Sequence, residues 1–296
     1  MAMTHTQRAD FRFFHRLQVR WAEVDMQQVV FNGHYLLYFD TAMSAYWKAL
    51  GLPYVQALQT LGGDFYVKKA TLTYHSPARL DDWIEIGIGL AKLGKSSMVL
   101  RTAMFVQDRP LASGEMVYVF TTPGLQARAQ AMPRGLRELL ESYERGEPML
   151  RVQRGDWHAL GEPARAIRTA VFVHEQGIPA ELEWDAHDAH CRHAVVFNRL
   201  DMPVACGRLL PDGHIGRVAV IQAMRGSFAG RLLMRDLMHE AKMAGHGHAE
   251  ISAQQAVTGF YRKLGFVSIG PPYLEAGIPH VPMRADLTRL PVSPVP

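Results

Sequence analysis

Two cysteines, Cys191 and Cys206, are too few in 296 residues for a disulfide scaffold and suit a reducing cytoplasm, where both read as small core residues. No apolar run is long enough to span a bilayer, and the opening MAMTHTQRADFRFFHR carries charge too densely for a secretory leader. A soluble cytoplasmic protein with no membrane span is expected. No internal repeat relates the two halves. Lysine and arginine leave a formal net charge of +4, yet they form no dense basic run, no zinc-finger spacing and no recognition-helix motif. Nucleic acid is therefore not expected as a partner; a small polyphosphate ligand asks for less basic surface. What is present is apolar: 48% hydrophobic residues over this length supply two ordinary cores, so two domains are expected.

The first half is organised around Val19 to Gly51, VRWAEVDMQQVVFNGHYLLYFDTAMSAYWKALG. Leu36, Phe39, Met43, Tyr46, Trp47 and Leu50 fall at three- and four-residue steps, with Asp40, Thr41, Ser44 and Lys48 on a narrower polar strip, which predicts one long helix with a wide apolar face. Asn32 or Gly33 is the expected N-cap, and Gly51 with Pro53 the stop. A strand from Phe13 to Trp21 precedes it, and a short helix from Tyr54 to Leu61 follows. Strand-like runs then cover Phe65 to Tyr74, Trp83 to Leu93, Ser97 to Gln107 and Leu111 to Thr121, separated by turn signals at Gly94-Lys95 and Asp108-Arg109-Pro110. An antiparallel meander curled round the helix would bury that face. A closing helix around Leu136 to Tyr143 leads to Gly146-Glu147-Pro148, the expected domain boundary.

Asp25 is a lone carboxylate just before a helix N-terminus, where the N–H groups of Asn32, Gly33 and His34 have no helical partner and the dipole favours negative charge. Such an end can stabilise a carbonyl oxygen gaining charge during acyl transfer, while Asp25 serves as base for a water or as nucleophile. Spacing alone fits a loop carboxylate closing a turn somewhat better.

VRWAEVDMQQVVFNGHYLLYFD resembles the hotdog-fold acyl-CoA thioesterases of the 4-hydroxybenzoyl-CoA and Tol-Pal-associated type, with the pattern V-R-x-x-x-x-D-x-x-G-x-V-x-x-x-x-Y before the central helix. The resemblance covers about the first half of the chain. It implies that Asp25 is catalytic and that a backbone amide at the helix start, at Asn32, polarises the thioester carbonyl. It further implies a homo-oligomer through the hotdog sheet. Gln28 departs from the family glycine, Asn32 stands where the Tol-Pal branch has a histidine, and His34 does not inherit that histidine's role.

In the second half, Asp156 is the expected N-cap of a helix through Ala164, Ile167 and Val171. Strand-like runs follow at Ala194 to Asn198, Pro203 to Leu210 and Ile215 to Ile221, then a helix with Leu232, Leu233, Leu237, Met238, Ala241 and Met243 on one face, ending at Gly245. The strand AEISAQ, a helix at Phe260 to Leu264 and the strand VPMRADL complete a mixed α/β pattern. From Val218 to Arg231, a glycine-containing turn between strand and helix with a cation beside it is a recipe for a pyrophosphate, and is also an ordinary strand-to-helix turn.

FVHEQGIPAELEWD, HIGRVAV, RGSFAGRLLM, FYRKLGF and EAGIPHVPM, in this order, are similar to the GNAT acyltransferases, specifically their ElaA-like branch, over most of the second half. The resemblance implies that Val218, Ala219 and Val220 pair with the pantetheine arm of acetyl-CoA and that Arg225, Gly226, Ser227, Ala229, Gly230 and Arg231 wrap the pyrophosphate. Tyr261 matches a tyrosine that protonates the leaving thiolate, though it could equally be a packed aromatic. Phe228 replaces the first glycine of R-x-x-G-x-G/A, where a ring would crowd the phosphates and a positive φ would be strained. WDAHDAHCRH gathers Asp185, His187, Asp188, His190, Cys191 and His193; its spacing fits no structural zinc pattern, so a polar loop is expected there and no metal.

The expected protein is thus α+β: a hotdog acyl-CoA thioesterase domain over 1–147, then a GNAT-like N-acyltransferase domain over 148–296. Acyl-CoA is the expected substrate and acetyl-CoA a co-substrate, with no permanently bound cofactor. The alternative is a second domain that binds acyl-CoA without transferring it.

Overall fold

A computed structural model of the chain describes residues 7–289. The chain divides into two compact units, Met1–Met149 and Leu150–Pro296.

In the first unit, β1 (Phe13–Gln18) precedes α1 (His34–Ala49), α2 (Tyr54–Thr60), β2 (Asp64–Tyr74), β3 (Trp83–Leu93), β4 (Ser97–Val106), β5 (Arg109–Thr121) and α3 (Arg134–Glu144). All pairings are antiparallel in the order β1-β3-β4-β5-β2. Alternation builds the sheet: Ile84, Ile86 and Ile88 of β3 and Met98, Leu100 and Met104 of β4 are all buried. Tyr35, Tyr38, Phe39, Ala42, Met43, Tyr46 and Trp47 of α1 are buried as well, and Trp47 stacks on Phe65, which meets Phe120 edge to face. Burying these rings contributes on the order of 10–20 kcal/mol before conformational entropy is set against it, at about 1.5–3 kcal/mol for each large side chain.

α1 stops where Gly51 takes φ +70: the Gly51 N–H donates to Lys48 C=O at 3.0 Å and the Leu52 N–H to Trp47 C=O at 2.9 Å, satisfying two otherwise open carbonyls. Two expectations are corrected. Leu36 is exposed rather than on the buried face, which Tyr35 and Tyr38 share instead. β3, β4 and β5 form a meander, but β2 lies at the far edge against β5, with Phe65 opposite Phe120, because that position brings Phe65 and Tyr74 under the two ends of α1. β2 is consequently an edge strand with Tyr66, Val67 and Tyr74 exposed.

The second unit runs β6 (Leu150–Gly155), α4 (Trp157–Arg168), a π-helical turn (Thr169–Glu175), α5 (Ala180–Glu183), β7 (Arg192–Asn198), β8 (Pro203–Leu209), β9 (Ile215–Val220), α6 (Ala229–Met243), β10 (His248–Gln254), α7 (Thr258–Arg262), β11 (Val267–Ser268), β12 (Tyr273–Glu275) and β13 (Ile278–Asp286). The Asp156 carboxylate caps α4 by accepting from the Ala159 N–H at 2.9 Å. One antiparallel sheet has the order β6-β7-β8-β9; in a second, β10 and β11 flank β13, which β12 also joins. Between the sheets, a single parallel bridge joins His214 to Glu250, so β9 and β10 start side by side and leave a notch beyond it.

α6 covers one face with Leu233, Leu237, Met238 and Ala241 against Val204, Ile251 and Met283. α4 covers the other with Leu160, Ala164 and Ile167 against Val195, Cys206 and Ala219. Met243, expected on the buried face, is exposed in the last turn of α6. The stretch read as a polar loop is partly interior. The buried Arg168 guanidinium holds the Glu183 carboxylate at 2.5 Å and the Asp188 carboxylate at 2.8 Å, and Arg208 binds Asp188 and Asp185, each at 2.6 Å. Those Arg208 hydrogen bonds hold Asp185 down at about 2. Among the described residues, no group of three or more His, Cys, Asp or Glu is arranged to hold a metal.

Candidate active sites

Asp25 sits in a tight hairpin. Its N–H donates to Val29 C=O and its C=O accepts from the Gln28 N–H, both at 2.9 Å, while Val24 pairs with Val30. Gln28 has φ +60, the left-handed residue that such a three-residue loop requires. This explains why glycine is the residue of choice there and why glutamine is strained. The carboxylate is oriented by the Gln27 N–H, which donates to Oδ1 at 2.8 Å, and Oδ2 accepts no hydrogen bond among the described residues.

Beyond the hairpin the chain enters α1 through Phe31, Asn32 and Gly33. The His34 N–H is already donated to Phe31 C=O at 2.9 Å, which removes it from the expected set of open donors. The N–H groups of Asn32 and Gly33 make no hydrogen bond among the described residues. Tyr74, at the end of β2, donates its hydroxyl to Asn32 C=O at 3.0 Å. In a trans peptide C=O and N–H point opposite ways, so this contact turns the Gly33 N–H away from Tyr74 and fixes its direction.

Glu23 anchors the hairpin to the helix. It is 4% exposed, yet its carboxylate accepts from the Tyr38 hydroxyl of α1 at 2.7 Å and from the Arg20 N–H at 2.7 Å and Nε at 2.8 Å. Its carbonyl accepts the Phe31 N–H at 3.0 Å. Burial pushes its pKa up, but Arg20 and Tyr38 outweigh that and hold it below the ordinary value. Sequence reasoning missed Glu23, Tyr38 and Tyr74; the only available signal was a second acid two residues before Asp25. A surface groove of about 940 Å³, lined by Tyr66, Val117, Val119 and Leu125, is elsewhere in this unit. Tyr66 is eight residues from Tyr74 along β2, roughly 26 Å at the usual strand rise.

In the second unit, Val218, Ala219 and Val220 are on β9 beside the notch, and a short turn at Gln222–Met224 leads to the loop before α6. Gly226 carries the positive φ, +79. Phe228 has φ −74 and ψ −10 and is the N-cap of α6, so the expected backbone strain is absent; its ring is 44% exposed, with the Arg231 guanidinium 5.8 Å from its centre. The Ser227 hydroxyl accepts the Ala229 N–H at 3.2 Å, closing one helix donor. Gly230 lets α6 approach β9, where an added Cβ would stand 3.3 Å from the Val220 side chain.

Arg225 points elsewhere than a phosphate cradle requires: its guanidinium binds both oxygens of Glu175, at 2.5 and 2.7 Å, and its Nε donates to Val220 C=O. Tyr261 lies against Phe260 and Phe266, and burial pushes its hydroxyl up to about 12, keeping it protonated. The structure thus gathers the predicted residues into two separate sets, Asp25 with Asn32 and Gly33, and the β9–α6 loop with Tyr261.

A wrapped helix in one unit and two sheets parted by a notch in the other are the hotdog and GNAT architectures, and the comparisons agree. The thioesterase superfamily model matches residues 27–113, and the acetyltransferase (GNAT) domain model matches residues 161–287. Through its second unit the chain belongs to the GNAT acetyltransferase family, and its first unit is a hotdog thioesterase-superfamily domain. The uncharacterized N-acetyltransferase YjcF of Bacillus subtilis is 35% identical over 124 residues, 40% of this chain and 88% of that protein. Protein ElaA of Escherichia coli is 31% identical over 134 residues, 42% of this chain and 85% of that protein. Among solved structures, a 1,4-dihydroxy-2-naphthoyl-CoA thioesterase from Synechocystis is similar at TM-score 0.41 and 14% identity, over 46% of this chain and 98% of that one. Among the described residues no helix is long and apolar enough to cross a membrane.

Proposed function

We propose that the first unit hydrolyses an acyl-CoA thioester, with Asp25 acting on the carbonyl carbon either directly or through a water. The observation that carries this reading is the juxtaposition, in one hairpin and helix start, of an oriented carboxylate with the open N–H groups of Asn32 and Gly33. A thioester oxygen placed on those two donors gains stabilisation as it becomes an oxyanion, while the carboxylate either adds its own lone pair to the carbon or takes the proton of the water that attacks it. Leu36 and Leu37, exposed on the first turn of α1, offer apolar surface to an acyl chain. The exposed edge of β2 is the surface through which two copies would pair, which also protects it from indiscriminate association.

The second unit is read as an N-acyltransferase. β9 supplies the edge for the pantetheine arm, the loop from Arg225 to Arg231 takes the pyrophosphate, and Tyr261 protonates the departing thiolate. No permanently bound cofactor is required, and a cytoplasmic setting suits the two buried free thiols. One observation favours the second reading, a unit that binds acyl-CoA without transferring it: Arg225 is held by Glu175 and must be released before it meets a phosphate.

The test is hydrolysis by the full chain across short, long and aromatic CoA thioesters, with sedimentation in parallel. Turnover of at least one class by an oligomer is expected. A chain that hydrolyses none above the buffer rate contradicts the hydrolase reading, and a fully active monomer contradicts the pairing through β2.

A further inference from the structure

The second sheet of the GNAT unit has one face that α6 does not cover. Alternation along β10 sends Ala249, Ile251 and Ala253 into the α6 core and leaves Glu250, Ser252 and Gln254 on the opposite face. β13 pairs with β10 so that His280 is directly opposite Gln254, while Val281 and Met283 join the core. His280 therefore shares the face of Gln254. On its other side it is paired with Tyr273 of β12, the two rings 6.1 Å apart, and the Tyr273 hydroxyl donates to Ser252 Oγ at 2.6 Å.

His280 is held in one tautomer. Its Nδ1 lies 2.8 Å from Ile278 C=O, and since a carbonyl oxygen can only accept, Nδ1 carries the hydrogen and Nε2 keeps its lone pair. Nε2 makes no hydrogen bond among the described residues. An imidazole fixed this way is poised to take a proton. It also lies along the notch: β9 and β10 leave the His214–Glu250 bridge in parallel, and Gln254, whose partner is His280, is four residues beyond that bridge on β10. From the loop after the π-helical turn, Gln176 exchanges amide hydrogen bonds with Gln254 at 3.0 and 3.4 Å and forms a facing wall.

We propose that His280 is the general base of acyl transfer in this unit, acting on a primary aliphatic amine seated against Gln176, Gln254 and Tyr273. The proposal rests on the N-acyltransferase reading of the second unit. An aliphatic amine is an ammonium ion at neutral pH and must lose a proton to become nucleophilic; Nε2 takes it. The amine nitrogen then forms a bond to the thioester carbonyl carbon, the C–S bond breaks, and the thiolate takes the Tyr261 proton. The new amide nitrogen gives up its second proton, which restores the Tyr261 hydroxyl, and His280 returns its proton to solvent, so ammonium plus thioester gives amide, thiol and one released proton. The charged and titratable groups around His280 are Tyr273 and Glu275 on β12, the Glu250–Arg284 pair further along the same face, and Glu175 in its pair with Arg225. Glu275 favours a cationic acceptor over an anionic one.

The experiment uses the full chain with acetyl-CoA and spermidine, tyramine and glucosamine as acceptors, and quantifies the N-acetyl product by mass spectrometry, because thioester hydrolysis would also release thiol. His280→Asn keeps a donor for Ile278 C=O but has no base. It should lower kcat for N-acetylation by about a hundredfold or more, with KM for acetyl-CoA changed less than about threefold. Wild-type kcat should rise with pH as a single base loses its proton, and the variant should lack that limb. Wild-type product with His280→Asn within about threefold in kcat overturns the assignment alone. A wild-type profile without such a limb overturns it whatever the variant's folding. A wild type that acetylates none of the amines overturns the transferase reading itself.

Discussion

Replacing Tyr38 with phenylalanine deletes one hydroxyl from the buried cluster that fastens the Asp25 hairpin to α1, with no change in ring packing. The lost contact is a 2.7 Å hydrogen bond to a carboxylate that is 4% exposed. Hydrogen bonds to charged groups contribute about 1.5–3 kcal/mol, and since Glu23 keeps its contacts with Arg20, the expected loss is near the low end, about 2 kcal/mol. For a unit of this size that lowers the melting temperature by about 4–8 °C. Glu23 is held below its ordinary value, so its contribution is fully present above pH 4.5 and is lost as pH falls through its folded value. Without the Tyr38 hydroxyl the depression is smaller, and acid destabilisation should begin at a higher pH. Because the Glu23 carbonyl also holds the Phe31 N–H, the hairpin loosens against the helix start, and kcat for thioester hydrolysis should fall about tenfold. Calorimetric melting of the full chain at neutral and acid pH, with kcat measured alongside, checks this. A melting shift below about 1 °C with unchanged kcat would refute the tether.

Gln28→Gly should raise stability by about 0.5–1 kcal/mol, because a left-handed residue is strained with a side chain and free without one; urea unfolding reads the shift. Glu175→Gln should release Arg225 and tighten acetyl-CoA binding by up to about tenfold in calorimetric titration, whereas unchanged affinity would show that the pair does not compete with phosphate. Asp188→Ala should cost about 3–5 kcal/mol, because it leaves Arg168 and Arg208 as under-compensated buried charges, and denaturant unfolding of the second unit would show a loss of that size.

The helical and strand periodicities were legible because each is local. β3 begins and ends at Trp83 and Leu93 as its alternation indicates, and Gly51 and Asp156 end and begin helices through their own backbone or side chain. Both fold families were legible from motifs rather than from periodicity. The edge position of β2 was not legible, because alternation says which face a residue takes and nothing about which strand lies beside it. Phe228 misled for a related reason: its place in a glycine motif suggested a positive φ, but the turn had moved that conformation to Gly226. The ion cluster joins Arg168 of α4 and Arg208 of β8 to the one stretch that carries Glu183 and Asp188, so WDAHDAHCRH showed only its surface-like composition. Glu23 and Tyr74 act through a helix and a loop that no spacing rule connects to them.

The central claim is that Asp25, beside the N–H groups of Asn32 and Gly33, performs thioester hydrolysis. The most direct measurement is the hydrolysis rate of the purified Asp25→Asn protein on the CoA thioester that wild type turns over fastest, with melting temperature recorded on the same sample. Asparagine can keep the Gln27 N–H contact through its carbonyl oxygen, so the hairpin should hold while the carboxylate is lost. The account predicts an unchanged melting temperature and a rate reduced by about a hundredfold or more. A folded Asp25→Asn protein hydrolysing that thioester at close to the wild-type rate would contradict it.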